Sequence, residues 1–72
     1  MADSVYLARE VIGVSSESWE AAARNALEAA AKTVRELRVG EVVRQDVTIE
    51  NGQVTNYRIR LSISFKYDPA QA

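Results

Sequence analysis

The stretch Leu37–Val54, LRVGEVVRQDVTIENGQV, leaves an expected helix, alternates through a strand and ends in an Asn-Gly turn. Asn51-Gly52 is the strongest short hairpin signal, because both central positions of a two-residue type I′ turn need positive φ. Val39 to Glu50 before it and Gln53 to Tyr67 after it alternate with period two, which predicts two paired strands. Such a turn sets Glu50 opposite Gln53, and counting back places Val42 opposite Leu61 and Gln45 opposite Arg58. One face then carries Tyr57, Ile59, Leu61, Ile63, Phe65 and Tyr67, with Gly40 and Val42 beside them, an apolar row that must be packed on something. The other face joins Val39, Glu41, Val43, Gln45, Val47 and Ile49 to Val54, Asn56, Arg58, Arg60, Ser62 and Ser64. That mixture is not a core, so a different kind of contact is expected to meet it.

Upstream, Ser4 to Val14 (SVYLAREVIGV) is rich in Val, Ile, Leu and Tyr over a length too short for a lone helix, and it reads as a first strand. Ser15 to Ser18 (SSES) offers hydroxyl acceptors for the orphan N–H groups of a helix start. Ser15 is the expected N-cap, with Glu17 and Glu20 placing negative charge in the first turn. From Ser16 to Leu37 there is neither Gly nor Pro. Ala23, Leu27, Ala30, Val34 and Leu37 recur at spacings of three and four, predicting one amphipathic helix of about six turns. Its other side carries Arg24, Glu28, Lys32, Arg35 and Glu36, a solvent face with a Glu28–Lys32 pair. The order is β-α-β-β, an α+β fold in one domain over residues 1–72. One helix can cover only one side of a three-stranded sheet, so the mixed face is expected to be a subunit interface with room for a ligand held in it.

Composition narrows the function. Domains of 72 residues bury only about 60% of their unfolded surface and are usually supplemented by disulfides, metals or self-association. There is no cysteine and no histidine, which removes disulfides and thiolate or imidazole metal sites and leaves association or a carboxylate-bound ion. Nine basic and ten acidic residues give a formal charge of −1, interspersed in sign, so neither nucleic acid nor an anionic membrane is an expected partner. No apolar run approaches the roughly 18 residues of a membrane span, and MADSVYLAR lacks a signal pattern, so a soluble cytoplasmic protein is expected. With no Gly-rich phosphate loop and no nucleophile paired with a base, no catalytic residue is assigned and an enzyme is not expected.

The first strand ending in IGVSSESWE, the helix string Ala22 to Ala26, the turn ENGQV and the closing SISFKY, taken in order, resemble the dodecins from about Val5 to Tyr67. The resemblance implies a three-stranded antiparallel sheet half-wrapping one long helix, and a hollow homododecamer of cubic-type symmetry. Dodecins that bind flavin stack two isoalloxazine rings between tryptophans of neighbouring subunits. That Trp opens a Trp-Phe-Glu-Val string on the second strand, and a Gln in a Tyr-Gln-Val string on the third bonds the ring. Here the strings read Val39-Gly40-Glu41-Val42 and Tyr57-Arg58-Ile59. Val39 gives up stacking worth roughly 0.5 to 1.5 kcal/mol per aromatic pair, and Arg58 has donors only where an amide donates and accepts. Val39, Gln45 and Arg58 are thus the flavin-site equivalents, and flavin is less expected than another ligand. Trp19, in the first helical turn, is read as a packing anchor rather than a transplanted stacking residue.

A divergent branch of the dodecins, whose described member binds calcium, is similar at Ser18-Trp19-Glu20, Arg38-Val39, Gln45-Asp46 and Tyr57-Arg58-Ile59. The resemblance implies calcium as a candidate ligand, though no EF-hand loop is present. Glu41, Asp46 and Glu50 are the acidic groups expected nearest an interface. The bland alternatives are ion pairs of Asp46 with Arg44 or Arg58 and of Glu41 with Arg60. Val43, Val47, Ile49 and Arg60 are the expected interface residues. The leading expectation is a non-enzymatic homododecameric shell that binds or buffers a small ligand, with calcium or another non-flavin ligand in the degenerate flavin site. The alternatives are a flavin-binding shell working through Arg58 and Gln45, and a structural assembly with no specific ligand.

Overall fold

Asn51 and Gly52 both take positive φ, 53° and 76°, so the turn that closes the hairpin has the backbone its residues favour. A computed structural model describes residues 5–67 and contains four elements. These are β1 (Tyr6–Ser15), α1 (Trp19–Ala31), β2 (Leu37–Glu50) and β3 (Gln53–Lys66). The sheet is antiparallel with order β1-β3-β2, which puts β3 in the centre. The expected start of the first strand at Ser4 lies outside the described residues.

The helix is shorter than expected at both ends. Its N-cap is Ser18 rather than Ser15: Ser18 is extended, and its side chain accepts from Ala21 N at 3.0 Å. Ser15 instead finishes β1 and accepts from Glu17 N at 2.9 Å, a local turn that precedes the helix. At the other end the helix stops at Ala31, and Leu37, expected to close it, opens β2. Thr33 and Val34 both donate backbone N–H groups to Ala30 O, and Glu36 takes a φ of 61° to redirect the chain. Neither Gly nor Pro announces this stop.

The packed stripe is also rotated by about one residue from the expected one. Ala21, Ala22 and Ala26 are buried, Trp19, Ala23 and Ala30 pack beside them, and Leu27 is 36% exposed. Alanine suits this position because the backbones come very close. A Cβ on Gly13 would stand 1.9 Å from Ala22 O and 2.9 Å from Ala26 Cβ. The helix thus settles onto β1 and β3 and meets Ile59, Leu61 and Ile63, the buried residues of the central strand. On the helix surface, Glu28 and Lys32 are exposed but do not form an ion pair.

The hairpin register departs from a regular count. Glu50 opposes Gln53 and Val42 opposes Leu61 as expected, but Gln45 opposes Ile59, and it is Asp46 that opposes Arg58. Between those points Thr48 pairs with Asn56 while Ile49 pairs with Val54, leaving Thr55 over. Val42 pairs with Leu61 while Arg44 pairs with Arg60, leaving Val43 over. The Thr55 bulge shifts the register by a residue and the Val43 bulge restores it, so the count agrees at Glu50 and Val42 and not between them, and a third irregularity between Leu37 and Val39 shifts it again at the start of β2.

Because side chains alternate, the shift exchanges faces between the bulges. Gln45 and Val47 share the helix side with Ile59 and Tyr57, while Arg44, Asp46 and Thr48 share the open side with Arg60, Arg58 and Asn56. Val39, Glu41, Val43, Gln45, Val47 and Ile49 therefore do not form one face. Val43, Val47, Ile49 and Arg60 likewise do not share one face: Val43 is a bulge residue, Val47 is half-buried on the helix side, and Arg60 is on the open side.

Replacing Gly13 with Ala tests the close approach. A backbone carbonyl cannot rotate away, so the helix must lift, at a cost of about 3 kcal/mol or more. Urea unfolding should show a midpoint lowered to match, and an unchanged midpoint would contradict this packing.

Candidate functional site

The side of the sheet away from the helix gathers the unusual residues into rows, because opposed positions on antiparallel strands share a face. Val14, Arg58 and Asp46 make one row, and Ile12, Arg60 and Arg44 the next. Glu10, Ser62 and Glu41 follow, then Ala8, Ser64 and Val39. Apolar residues stand exposed among these polar ones: Ile12 at 51%, Val14 at 46% and Val39 at 60%. No element of the described chain covers this side.

Asp46 and Arg58 are joined by two contacts, Nε donating to Oδ1 at 2.8 Å and Nη2 to Oδ2 at 3.4 Å. Their side chains are 41% and 40% exposed, so the pair fixes geometry more than it stabilises. Of the alternatives drawn from sequence, Asp46 with Arg58 forms and Glu41 with Arg60 does not. Arg44 and Arg60 oppose each other directly, and among the described residues neither has an acidic partner within 4.0 Å. The remaining ion pair joins Glu36 and Arg38 beside the start of β2. There the Arg38 guanidinium, by hydrogen bonding first and charge second, holds the Glu36 carboxyl below its usual value and is itself raised.

The flavin-site equivalents are dispersed. Val39 and Arg58 are both on the open side, but their partners Ser64 and Arg58 are six residues apart along β3, roughly 20 Å within one chain. Gln45 is on the helix side and does not accompany them. Val39 has no ring to stack, and Arg58 is held by Asp46. The acidic candidates separate as well: Glu41 opposes Ser62, Asp46 is paired, and Glu50 is exposed at the hairpin end. Among the described residues no three Asp or Glu side chains come together as a metal site.

Trp19 has a structural post. Its ring meets Tyr57 edge-on, with centroids 5.1 Å apart and planes at 73°, and its Nε1 donates to Asp46 O at 3.0 Å. It thereby ties the helix start to the shifted part of β2, on the side opposite the Asp46 carboxylate. An open groove between the end of β1 and the helix, walled by Val14, Ser16, Glu17, Ala21, Asn25 and Asn56, contains none of the expected site residues. Sequence reasoning missed Glu10, Ile12 and Val14 as members of the open face, although their period-two spacing was visible. It also missed Arg44, which only the bulge at Val43 turns to that side.

Comparison with known proteins places these features. The Dodecin family model matches residues 5–68. A calcium dodecin of Mycobacterium tuberculosis is 43% identical over 68 residues, covering 94% of this chain and 96% of that protein. The crystal structure of a calcium dodecin from the same organism, described as having a novel calcium-binding site, superposes with a TM-score of 0.80 at 40% identity. That match covers 94% of this chain and 97% of the other. A dodecin from Streptomyces coelicolor superposes with a TM-score of 0.89 at 34% identity, covering 94% and 97% of the two chains.

Trp19→Phe removes the donor to Asp46 O and retains most of the ring contact, so it should cost about 1 kcal/mol. Trp19→Ala also removes the ring and should cost roughly 3 to 5 kcal/mol. Thermal unfolding followed by circular dichroism reads both, and a Trp19→Phe variant as stable as the parent would deny the indole hydrogen bond any role.

Proposed function

The chain belongs to the dodecin family, and from that premise we propose that it works without catalysis, as a homododecameric shell that sequesters or buffers a small ligand. The observation that carries this reading is the uncovered open face, where Ile12, Val14 and Val39 stand in solvent beside a patterned set of charges. A single helix cannot shield it, and a neighbouring copy of the chain can.

Native mass spectrometry tests the assembly. Twelve chains of 8.0 kDa give a particle near 96 kDa before any ligand mass. Ile12→Asp should reduce that mass. Ile12 is 51% exposed in the single chain, so the change should leave monomer stability within about 0.5 kcal/mol while placing a charge in the proposed contact. A parent protein that stays monomeric at micromolar concentration overturns the shell.

Calcium is the ligand favoured by the likeness to calcium dodecins. Its oxygens would have to come from more than one copy, with Glu41 on the open side as the first candidate, Glu50 as the second, and Asp46 available only by giving up Arg58. Calcium at a hundred times its dissociation constant should stabilise the fold by about 2.7 kcal/mol, read as a rise in melting temperature that chelator reverses. If magnesium and calcium leave the melting curve alike and unmoved, calcium is not the ligand.

A further inference from the structure

We propose that Arg44 and Arg60 form a seat for a small oxyanion, of the phosphate class, on the open side of the sheet. The inference rests on reading that side as the ligand-facing one, and it names a chemistry distinct from the cation considered above.

Like charges directly opposite across two strands destabilise the sheet, and an arginine cannot relieve the strain by losing its proton. Here the arrangement is imposed by a local departure from regular pairing. Without the extra residue Val43, a β2 residue other than Arg44 would oppose Arg60. With it, Arg44 and Arg60 become direct cross-strand partners on one face.

Among the described residues nothing nearby neutralises them. Asp46, the acid nearest in sequence to Arg44, is committed to Arg58 through both oxygens. Glu10 and Glu41 are one row along, on either side of Ser62 and diagonal to Arg60, and neither comes within ion-pair distance of an arginine. Ile12 flanks Arg60 on β1 and leaves a half-exposed apolar shoulder beside the pair. Two planar, five-donor forks set next to each other suit an oxyanion with several acceptor oxygens, since each fork can grip two of them. The Asp46–Arg58 pair in the adjacent row holds a third guanidinium at the edge of the seat. The two acids one row away limit how far the negative ligand can extend in that direction.

The test uses inorganic phosphate and pyrophosphate as probes, by calorimetric titration and by melting temperature at constant ionic strength with chloride as the balancing salt. The parent protein should bind pyrophosphate more tightly than phosphate, and both should raise the melting temperature. Arg44→Gln and Arg60→Gln should each weaken binding by about tenfold or more, as expected for loss of a charge-assisted contact. Arg24→Gln, which removes an exposed helix charge, should leave binding unchanged. In the absence of phosphate the two sheet variants should fold at least as stably as the parent, because they relieve the repulsion.

Native mass spectra of the same variants keep this inference separate from the shell. Loss of phosphate binding with the assembly mass unaltered supports the seat. Loss of assembly in Arg44→Gln or Arg60→Gln, with no phosphate response in the parent, would mean that a carboxylate of a second copy neutralises the pair, and the seat would be wrong. An equal response in Arg24→Gln and Arg44→Gln would reduce the effect to general screening and would also overturn it.

Discussion

The close approach of Gly13 to Ala22 sets the rest of the structure. With no room for a single Cβ between β1 and the helix, the alanine stripe can lie almost on the sheet, and three aliphatic side chains from the central strand fill the core. Alanine adds little buried area, so the contact gains most from the dense packing of backbone and methyl groups. Proximity of this kind uses up the one helix on one side of the sheet. What remains on the other side is as much a product of Gly13 as the core is, because no second layer is left to cover it.

That uncovered side is then divided into rows by the bulges. A strictly regular hairpin would have placed Val43, Val47 and Ile49 in one file, giving β2 an apolar patch resembling an ordinary interface. Instead Thr55 and Val43 are each left over, and the segment from Arg44 to Thr48 turns its charged residues outward and Val47 to the helix side, opposite Tyr57. Trp19 is in a position to hold that choice, because its indole bonds the Asp46 carbonyl from one side while Arg58 bonds the Asp46 carboxylate from the other.

Element types and order were legible in the sequence for physical reasons that survive folding: the Asn-Gly turn, the apolar row on β3 and the Gly-free alanine-rich helix. The helix ends were not, because Ser15 and Ser18 are equally able to bond nearby N–H groups, and Glu36 adopts a left-handed backbone usually given to Gly or Asn. The middle of the hairpin was illegible for a different reason. The two bulges between Val42 and Glu50 compensate each other, so agreement at Val42 and Leu61 could not reveal the shift around Gln45. Of the site, Val39 and Arg58 were placed on a common face by alternation, Gln45 and Val47 were on the wrong one, and the Glu41, Asp46 and Glu50 set was never local to one chain.

Composition alone also misjudges the electrostatics of such a face. A net charge of −1 argues against a long-range field, and that argument holds for extended polyanions that need many contacts. It does not govern a ligand a few ångströms across. At physiological salt, exposed charges are screened beyond about 8 Å, so what such a ligand meets is the row it touches rather than the chain as a whole. Here adjacent rows differ in sign, Arg44 with Arg60 next to Glu10 with Glu41, and an average over the sequence cancels the contrast that would give recognition. The same alternation sets terms for any copy of the chain that packs on this side. Its basic groups must meet the glutamate row and its acids must leave the arginine row open, which restricts the register of an interface more tightly than the scattered apolar residues could.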